Sequence, residues 1–339
     1  MQTLRAIAVL LVLTYHAAAR TAQILSRNIA DWGRGRAGVD IFFVLSGFVM
    51  VYSSLRLFDD PYGWKIFLER RLARVVPMYW IATTIKIAIM LMAASLVLHS
   101  SLTPSTIFLS FLFLPSALKE GSGLLIQAAW TLSFEMLFYC LFTFILYFRL
   151  SLFPVMGIVL SCFTLISFLH PQSSSSPLFF FFNSVIFEFY LGMLIARYCT
   201  GRFRVTRVQG MAIFSLGISL LLLLPEYPTI PRLFTMGLPS AMMVMAIVLL
   251  EEYLARPAKA ILWIAEASYA IYLFQMLTIQ IVPTLLKRIH YPSVTLSFIG
   301  CIFVGVASGA VMHHGVERPI TTWLRDHLRV RHRKFIHQP

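Results

Sequence analysis

Runs of mainly apolar residues about as long as a bilayer is thick recur along this chain, and they leave it few ways to fold. Backbone amides in hydrocarbon must pair within their own segment, so a run of about 20 apolar residues reads as a helix crossing the membrane. Ten runs fit: Leu4–Ala19, Ala37–Ser54, Val75–Leu98, Leu124–Phe148, Leu152–Leu169, Leu178–Tyr198, Val208–Leu224, Leu233–Leu250, Ala260–Leu286 and Ser293–His313. An eleventh, Ile107–Leu118, is short and interrupted by Pro115, which suits a re-entrant or interfacial segment. The expected fold class is therefore an all-α polytopic integral membrane protein, with about ten transmembrane helices plus that short segment. Composition excludes the alternatives. Of 339 residues, 59% are hydrophobic and 12% charged, against about 25% charged in soluble domains. In water such a chain would expose large apolar patches. Its 29 Phe, 13 Tyr and 6 Trp are equally foreign to a disordered chain.

The net charge of +14 then reads as loop charge, not as a footprint for nucleic acid. With ten spans both termini share a side. Placing them in the cytoplasm puts nineteen Lys and Arg inside and eight outside, with Lys86 within a span. The first outer loop runs against that trend, gathering Arg20, Arg27, Arg34 and Arg36 around Trp32. These four either break the rule or face an anionic substrate. Ala17–Ala19 imitate a signal-peptide cleavage site, but the run carries His16 and nine more spans follow, so it is expected to be retained. Cys140, Cys162, Cys199 and Cys301 are scattered through apolar runs, without disulfide or metal-site spacing. Residues 1–317 are expected to form one transmembrane domain and 318–339 a basic cytoplasmic tail lying against anionic headgroups. Ser173–Ser176, between Pro171 and Pro177, reads as a short outer loop.

Ionisable groups inside spans are costly and tend to mark function. Arg5 and His16 are eleven residues apart, so they share a helical face within about 20°, with His16 about 16 Å deeper. A satisfied interhelical histidine with a snorkelling arginine is the bland reading, a catalytic pair the sharp one. Asp40 in GVDIFFVLSGF either caps a helix or orients a histidine from the first span. Arg71 and Arg74 in ERRLARVVPMYW share a face; their planar forks suit phosphate oxygens, and positive loop charge is the alternative. Trp130, Ser133, Glu135 and Tyr139 fall together in WTLSFEMLFY, where Glu135 needs a partner or a wet cavity. Glu188, Lys86 and Glu266 are expected in structural ion pairs or hydrogen bonds, and SYAIYLFQ supplies interhelical polar contacts. His313, His314, Glu317 and Arg318 fall near the cytoplasmic face.

Six strings in this order, LRAIAVLLVLTYH, GVDIFFVLSGFVM, RRLARVVPMYW, WTLSFEMLFY, SYAIYLFQ and VERP, resemble the acyltransferase-3 family of bacterial membrane O-acyltransferases, nearest to the branch that acetylates exopolysaccharides. The resemblance implies that Arg5 and His16 form the family's Arg-x10-His pair and that Arg71 and Arg74 form its Arg-x-x-Arg pair. It also implies roles for Asp40, Trp130, Glu135 and Glu317. Where many members carry a histidine at the end of the ninth-span motif, this chain has Gln275. No fused extracytoplasmic domain is expected. The family is thought to take acetyl groups from cytosolic acetyl-CoA and place them on sugars at the outer face.

The expectation that follows is an O-acetyltransferase of the bacterial inner membrane, both termini cytoplasmic, acting on a hydroxyl of a cell-surface or exopolysaccharide glycan or a lipid-linked oligosaccharide. His16 is the candidate base, with Asp40 or Glu135 to set its tautomer. Arg5, Arg71 and Arg74 would hold the CoA phosphates, with Trp130, Ser133, Tyr139 and Glu317 in support. Acetyl-CoA is a co-substrate, and no metal is expected. A glycan transporter or flippase is the rival reading, but the internal repeats common in transporters are not found. Nothing in the sequence sets an oligomeric state.

Overall fold

The computed structural model describes residues 1–26, 32–92, 102–116, 123–169, 177–200, 205–225, 230–254 and 257–336, with backbone alone for Leu178 and residues 329–336. Arg27, the far end of the third run, the Ser173–Ser176 loop and residues 337–339 lie outside these. The described residues are helical and contain no strand. Among the described residues seven helices are long and apolar enough to cross a membrane, where about ten were expected. In chain order these include α1 (Gln2–Leu25), α2 (Ala37–Ser54) and α3 (Gly63–Met92), followed by the short α4 (Pro104–Phe111). Then come α5 (Trp130–Tyr147), α6 (Leu152–Leu169) and α7 (Phe187–Tyr198). Next are α8 (Arg207–Leu223), α9 (Leu238–Leu249, entered through a π turn over Leu233–Gly237) and α10 (Lys259–Glu266). The series closes with α11 (Ser268–Thr278), α12 (Ile281–Arg288), α13 (Val294–Met312) and α14 (Arg318–Ile336).

Two expected spans are broken, each for a local reason. In the sixth, Asn183 takes an extended backbone and its side chain accepts from Val185 N–H, which stops one helical turn and starts the next. Only the twelve residues of α7 follow as α-helix. The ninth is three pieces. Ala267 leaves helical geometry (ψ −2°) between α10 and α11. Past α11, Pro283 has no N–H to donate to the carbonyl four residues back, and the Cys301 thiol donates to that Ile279 carbonyl instead, at 3.0 Å. The last span does the reverse: α13 passes through a π turn at His313–Glu317 and continues as α14, so the basic stretch is helical and packs against α3. As expected, α4 is too short to cross. Its terminal carbonyls at Ser110 and Phe111 accept from Tyr79 and Trp80 of α3.

Burial is that of a bundle in lipid. On α6 only Leu152, Met156, Leu160 and Thr164 are buried, a stripe four residues apart, although the helix is apolar all round. Phe144, Ile158, Val208, Leu223, Phe303 and Val311 each expose more than half their surface, which suits hydrocarbon and not water. Between helices, small residues set the spacing. A Cβ on Gly47 would meet the Phe189 carbonyl at 1.9 Å, and one on Gly192 the Val44 carbonyl at 2.0 Å, so α2 and α7 cross backbone to backbone. Phe43, Phe134, Phe138, Phe142 and Phe189 fill the space beside that crossing with edge and stacked ring contacts.

Candidate functional site

A cavity of about 280 Å³ opens between α1, α2, α3, α5 and α11. Arg5 enters it from α1, Arg71 and Arg74 from the first half of α3, Glu135 and Tyr139 from α5, and Ser268 and Tyr269 from the start of α11. Helical register explains the gathering: Arg71 and Arg74 are three apart, Glu135 and Tyr139 four apart, so each pair shows one face to the same space. The side chains are held. Arg5 donates to Ser268 Oγ at 3.0 Å, and Arg71 to Ser53 Oγ at 2.6 Å while lying over the Phe67 ring. The Tyr139 hydroxyl donates to Glu135 Oε1, and that of Tyr269 to the Val75 carbonyl just before Pro77. Three guanidinium groups thus face one carboxylate across a half-enclosed space, and that excess suits a polyanion such as a phosphorylated donor.

Asp40 is elsewhere. Gly38 seats α2 on α1, against Ala8 and Val12, and two residues further the side chain points about 200° round the helix. Asp40 is fully buried and takes a two-point ion pair from Arg232, at 2.7 and 3.1 Å. The expected contact between Asp40 and His16 is not made. Arg232 also stands 5.7 Å from the centroid of the Trp130 ring, so Trp130 faces this pair. Glu188 is buried beside Asp40, its carboxylate against the Gly237 backbone within the π turn. Sequence reasoning counted Arg232 as loop charge. It lies 192 positions from Asp40, and no local spacing marks such a pair.

His16 lies outside the cavity lining, three turns beyond Arg5 on the same face. Its ring sits 5.0 Å from that of Tyr15, and among the described residues it takes no hydrogen bond. Glu135, the other expected partner, is engaged with Tyr139. Ser133 is buried with its hydroxyl unpartnered among the described residues. Glu317 is not at the cavity but pairs with His313 at 2.7 Å, across the π turn between α13 and α14. Gln275 is fully buried and donates to the Tyr272 carbonyl at 3.2 Å. Among the described residues no three His, Cys, Asp or Glu side chains stand together as a metal site.

An acyltransferase-domain family model matches residues 1–314. The exopolysaccharide production protein ExoZ of Rhizobium meliloti (strain 1021) is 30% identical over 300 residues, covering 84% of this chain and 89% of that protein. No solved structure matches. With the family model spanning nearly all of the helical bundle, and the order of helices carrying each motif in place, the chain belongs to the acyltransferase-3 family.

Proposed function

We propose that this membrane acyltransferase moves an acetyl group from cytosolic acetyl-CoA to a hydroxyl of a cell-surface or exopolysaccharide glycan. The protein would sit in the bacterial inner membrane with both termini cytoplasmic. The observation that carries the reading is the convergence of Arg5, Arg71 and Arg74 on one cavity with Glu135 and Tyr139. The relative's name supplies the glycan, since that protein serves exopolysaccharide production. Acetyl-CoA is bound by its phosphates at the three arginines, whose donors match phosphate oxygens in geometry and charge. Its flexible pantetheine arm then runs along the Arg5–His16 face of α1.

A sugar hydroxyl at its ordinary pKa is a poor nucleophile. In this proposal the neutral His16 ring takes the hydroxyl proton as the oxygen attacks the thioester carbonyl. The carbon–sulfur bond breaks, and the departing thiolate recovers a proton from the imidazolium. Asp40 acts at one remove, holding Arg232 and the outer half of α2 against α7 and α9. Glu135 fixes Tyr139 at the donor end. Because donor and acceptor enter from opposite sides, no free acetyl group has to cross lipid.

The test uses the purified full chain in lipid nanodiscs with labelled acetyl-CoA. His16→Gln keeps a hydrogen-bonding side chain but cannot carry the proton. It is expected to retain acetyl-CoA affinity within about twofold and to lose transfer by about 10²-fold or more. A folded His16→Gln with near-normal transfer overturns the base assignment. Absence of acetyl-CoA binding in the unaltered protein overturns the donor assignment.

A further inference from the structure

A groove of about 690 Å³ runs along the lipid-facing side of α1, between α13 and Trp32. Ile7, Leu11, Thr14 and Ala18 form its floor. Each is three or four residues from the last, so they share one helical face. Ile7 to Ala18 is eleven residues, about 16 Å, roughly half the thickness of the hydrocarbon core. Phe298 of α13 makes one wall, and a hydrogen bond of 2.9 Å between Thr21 and Ser297 joins the two helices beside it. Trp32 makes the other wall, its indole N–H donating to Thr14 Oγ1 at 3.1 Å. Apart from threonine hydroxyls the lining is apolar, and the volume falls in the range of about 300–1,000 Å³ typical of ligand sites.

Cations stand at the rim of this apolar groove. Trp32 leads into the single turn Gly33–Arg36, and Gly35 lets that turn press on α1, where a Cβ would meet the Leu11 carbonyl at 2.6 Å and Tyr15 Cβ at 2.7 Å. The turn brings the Arg36 guanidinium to 5.8 Å from the centroid of the Tyr15 ring, next to Thr14 in the groove floor. Arg34, from the same turn, donates to the Leu224 carbonyl at 2.6 Å. His16 is two residues from Thr14 and faces about 200° away. The Tyr15 ring, 5.0 Å from that of His16, therefore separates the Arg36 cation from the candidate base. Arg34 and Arg36 are among the basic residues that run against the excess on the cytoplasmic side, so loop charge does not account for them.

We propose that the groove holds the hydrocarbon tail of the acceptor, which is a glycan carried on a polyprenyl phosphate, with Arg36 against the phosphate. An apolar channel ending beside a guanidinium is complementary to a long tail with an anionic head. It follows one face of one helix, which suits a single polyprenyl tail better than the paired tails of a diacyl lipid. Tail burial fixes the head at the Gly33–Arg36 turn, and the sugars then pass Tyr15 to reach His16. This deepens the function proposed above, from which it takes His16 as the reacting centre; binding of the lipid itself is tested without any acyl transfer.

Native mass spectrometry of the full chain, released from detergent micelles without donor, measures the affinity of decaprenyl phosphate, decaprenol and phosphatidylglycerol. Decaprenyl phosphate is expected to bind about tenfold tighter than either of the others. Ala18→Phe and Ile7→Trp, which fill the groove from its two ends, should each weaken that binding about tenfold or more, while Ile158→Phe on the lipid-facing side of α6 leaves it unchanged. Arg36→Gln should narrow the preference over decaprenol. Phosphatidylglycerol bound as tightly as decaprenyl phosphate means an ordinary membrane lipid and overturns the proposal. Undiminished affinity in the folded groove variants overturns it as well, and a full preference over decaprenol in folded Arg36→Gln overturns the placement of the phosphate. Selective decaprenyl phosphate binding by a protein that transfers no acetyl group would leave the groove assigned and remove the function proposed above. Acetyl transfer to a soluble glycan by a protein indifferent to decaprenyl phosphate would do the reverse.

Discussion

At the scale of single residues the molecule separates its charges into a cavity lined by three arginines and a buried ion pair. The cavity arginines should behave as phosphate ligands. Arg71→Ala and Arg74→Ala are each expected to weaken acetyl-CoA binding about tenfold or more, the cost of a charge-assisted hydrogen bond. Lys at either position should recover part of it, since charge returns without the planar fork. Calorimetric titration of acetyl-CoA into each folded variant checks this, and unchanged affinity in both Ala variants would leave the arginines as topology signals only. The Asp40–Arg232 pair makes the opposite kind of prediction, one about stability. Arg232→Met leaves the fully buried Asp40 without its cation and beside Glu188. Removing one partner of a buried pair costs about 3–5 kcal/mol, so the melting temperature in detergent should fall steeply. Asp40→Asn combined with Arg232→Met should restore part of the loss, because no lone charge remains. Equal melting of Arg232→Met and the unaltered protein would mean that water already reaches Asp40.

At the scale of helices, the structure turns on close crossings and interruptions. The α2–α7 crossing has no room for a side chain at Gly47 or Gly192. Gly47→Ala is therefore expected to force the two backbones apart, lower the melting temperature and weaken the placement of Asp40 about two turns away, whereas Gly315→Ala, with open space at its Cβ, should be nearly silent. Thermal unfolding of the two variants side by side decides it. The interruptions have chemical consequences of their own. The break at Ala267 starts α11 at Ser268, whose hydroxyl then receives Arg5, and the Pro283 gap leaves a carbonyl that the Cys301 thiol fills. An unbroken ninth helix would carry Ser268 on a different heading and leave Arg5 to snorkel.

At the scale of the whole molecule, apolar side chains both fill the space between helices and cover the outer surface, and the buried polar groups are the smaller set. Reporter fusions after residue 339 and within the Ser173–Ser176 loop should report opposite sides of the membrane, the first cytoplasmic, as the nineteen-to-eight division of basic residues requires. Two fusions on one side would revise the number of crossings. The sequence alone was enough to determine that the chain is a helical membrane protein and to indicate its family. Hydrocarbon forces each spanning segment to satisfy its own backbone, so a linear run of apolar residues already contains the answer. It also revealed the pairs that share a helix, Arg5 with His16 and Arg71 with Arg74, because helical periodicity is a local property. What only the tertiary structure decided is everything that depends on which helices meet. Asp40 turned toward Arg232 and not toward His16, and Trp130 came to face that pair. Spacing along the chain cannot report such pairings, since the partners lie up to 192 residues apart and are brought together by where glycines let backbones touch and where Asn183, Ala267 and Pro283 interrupt a helix.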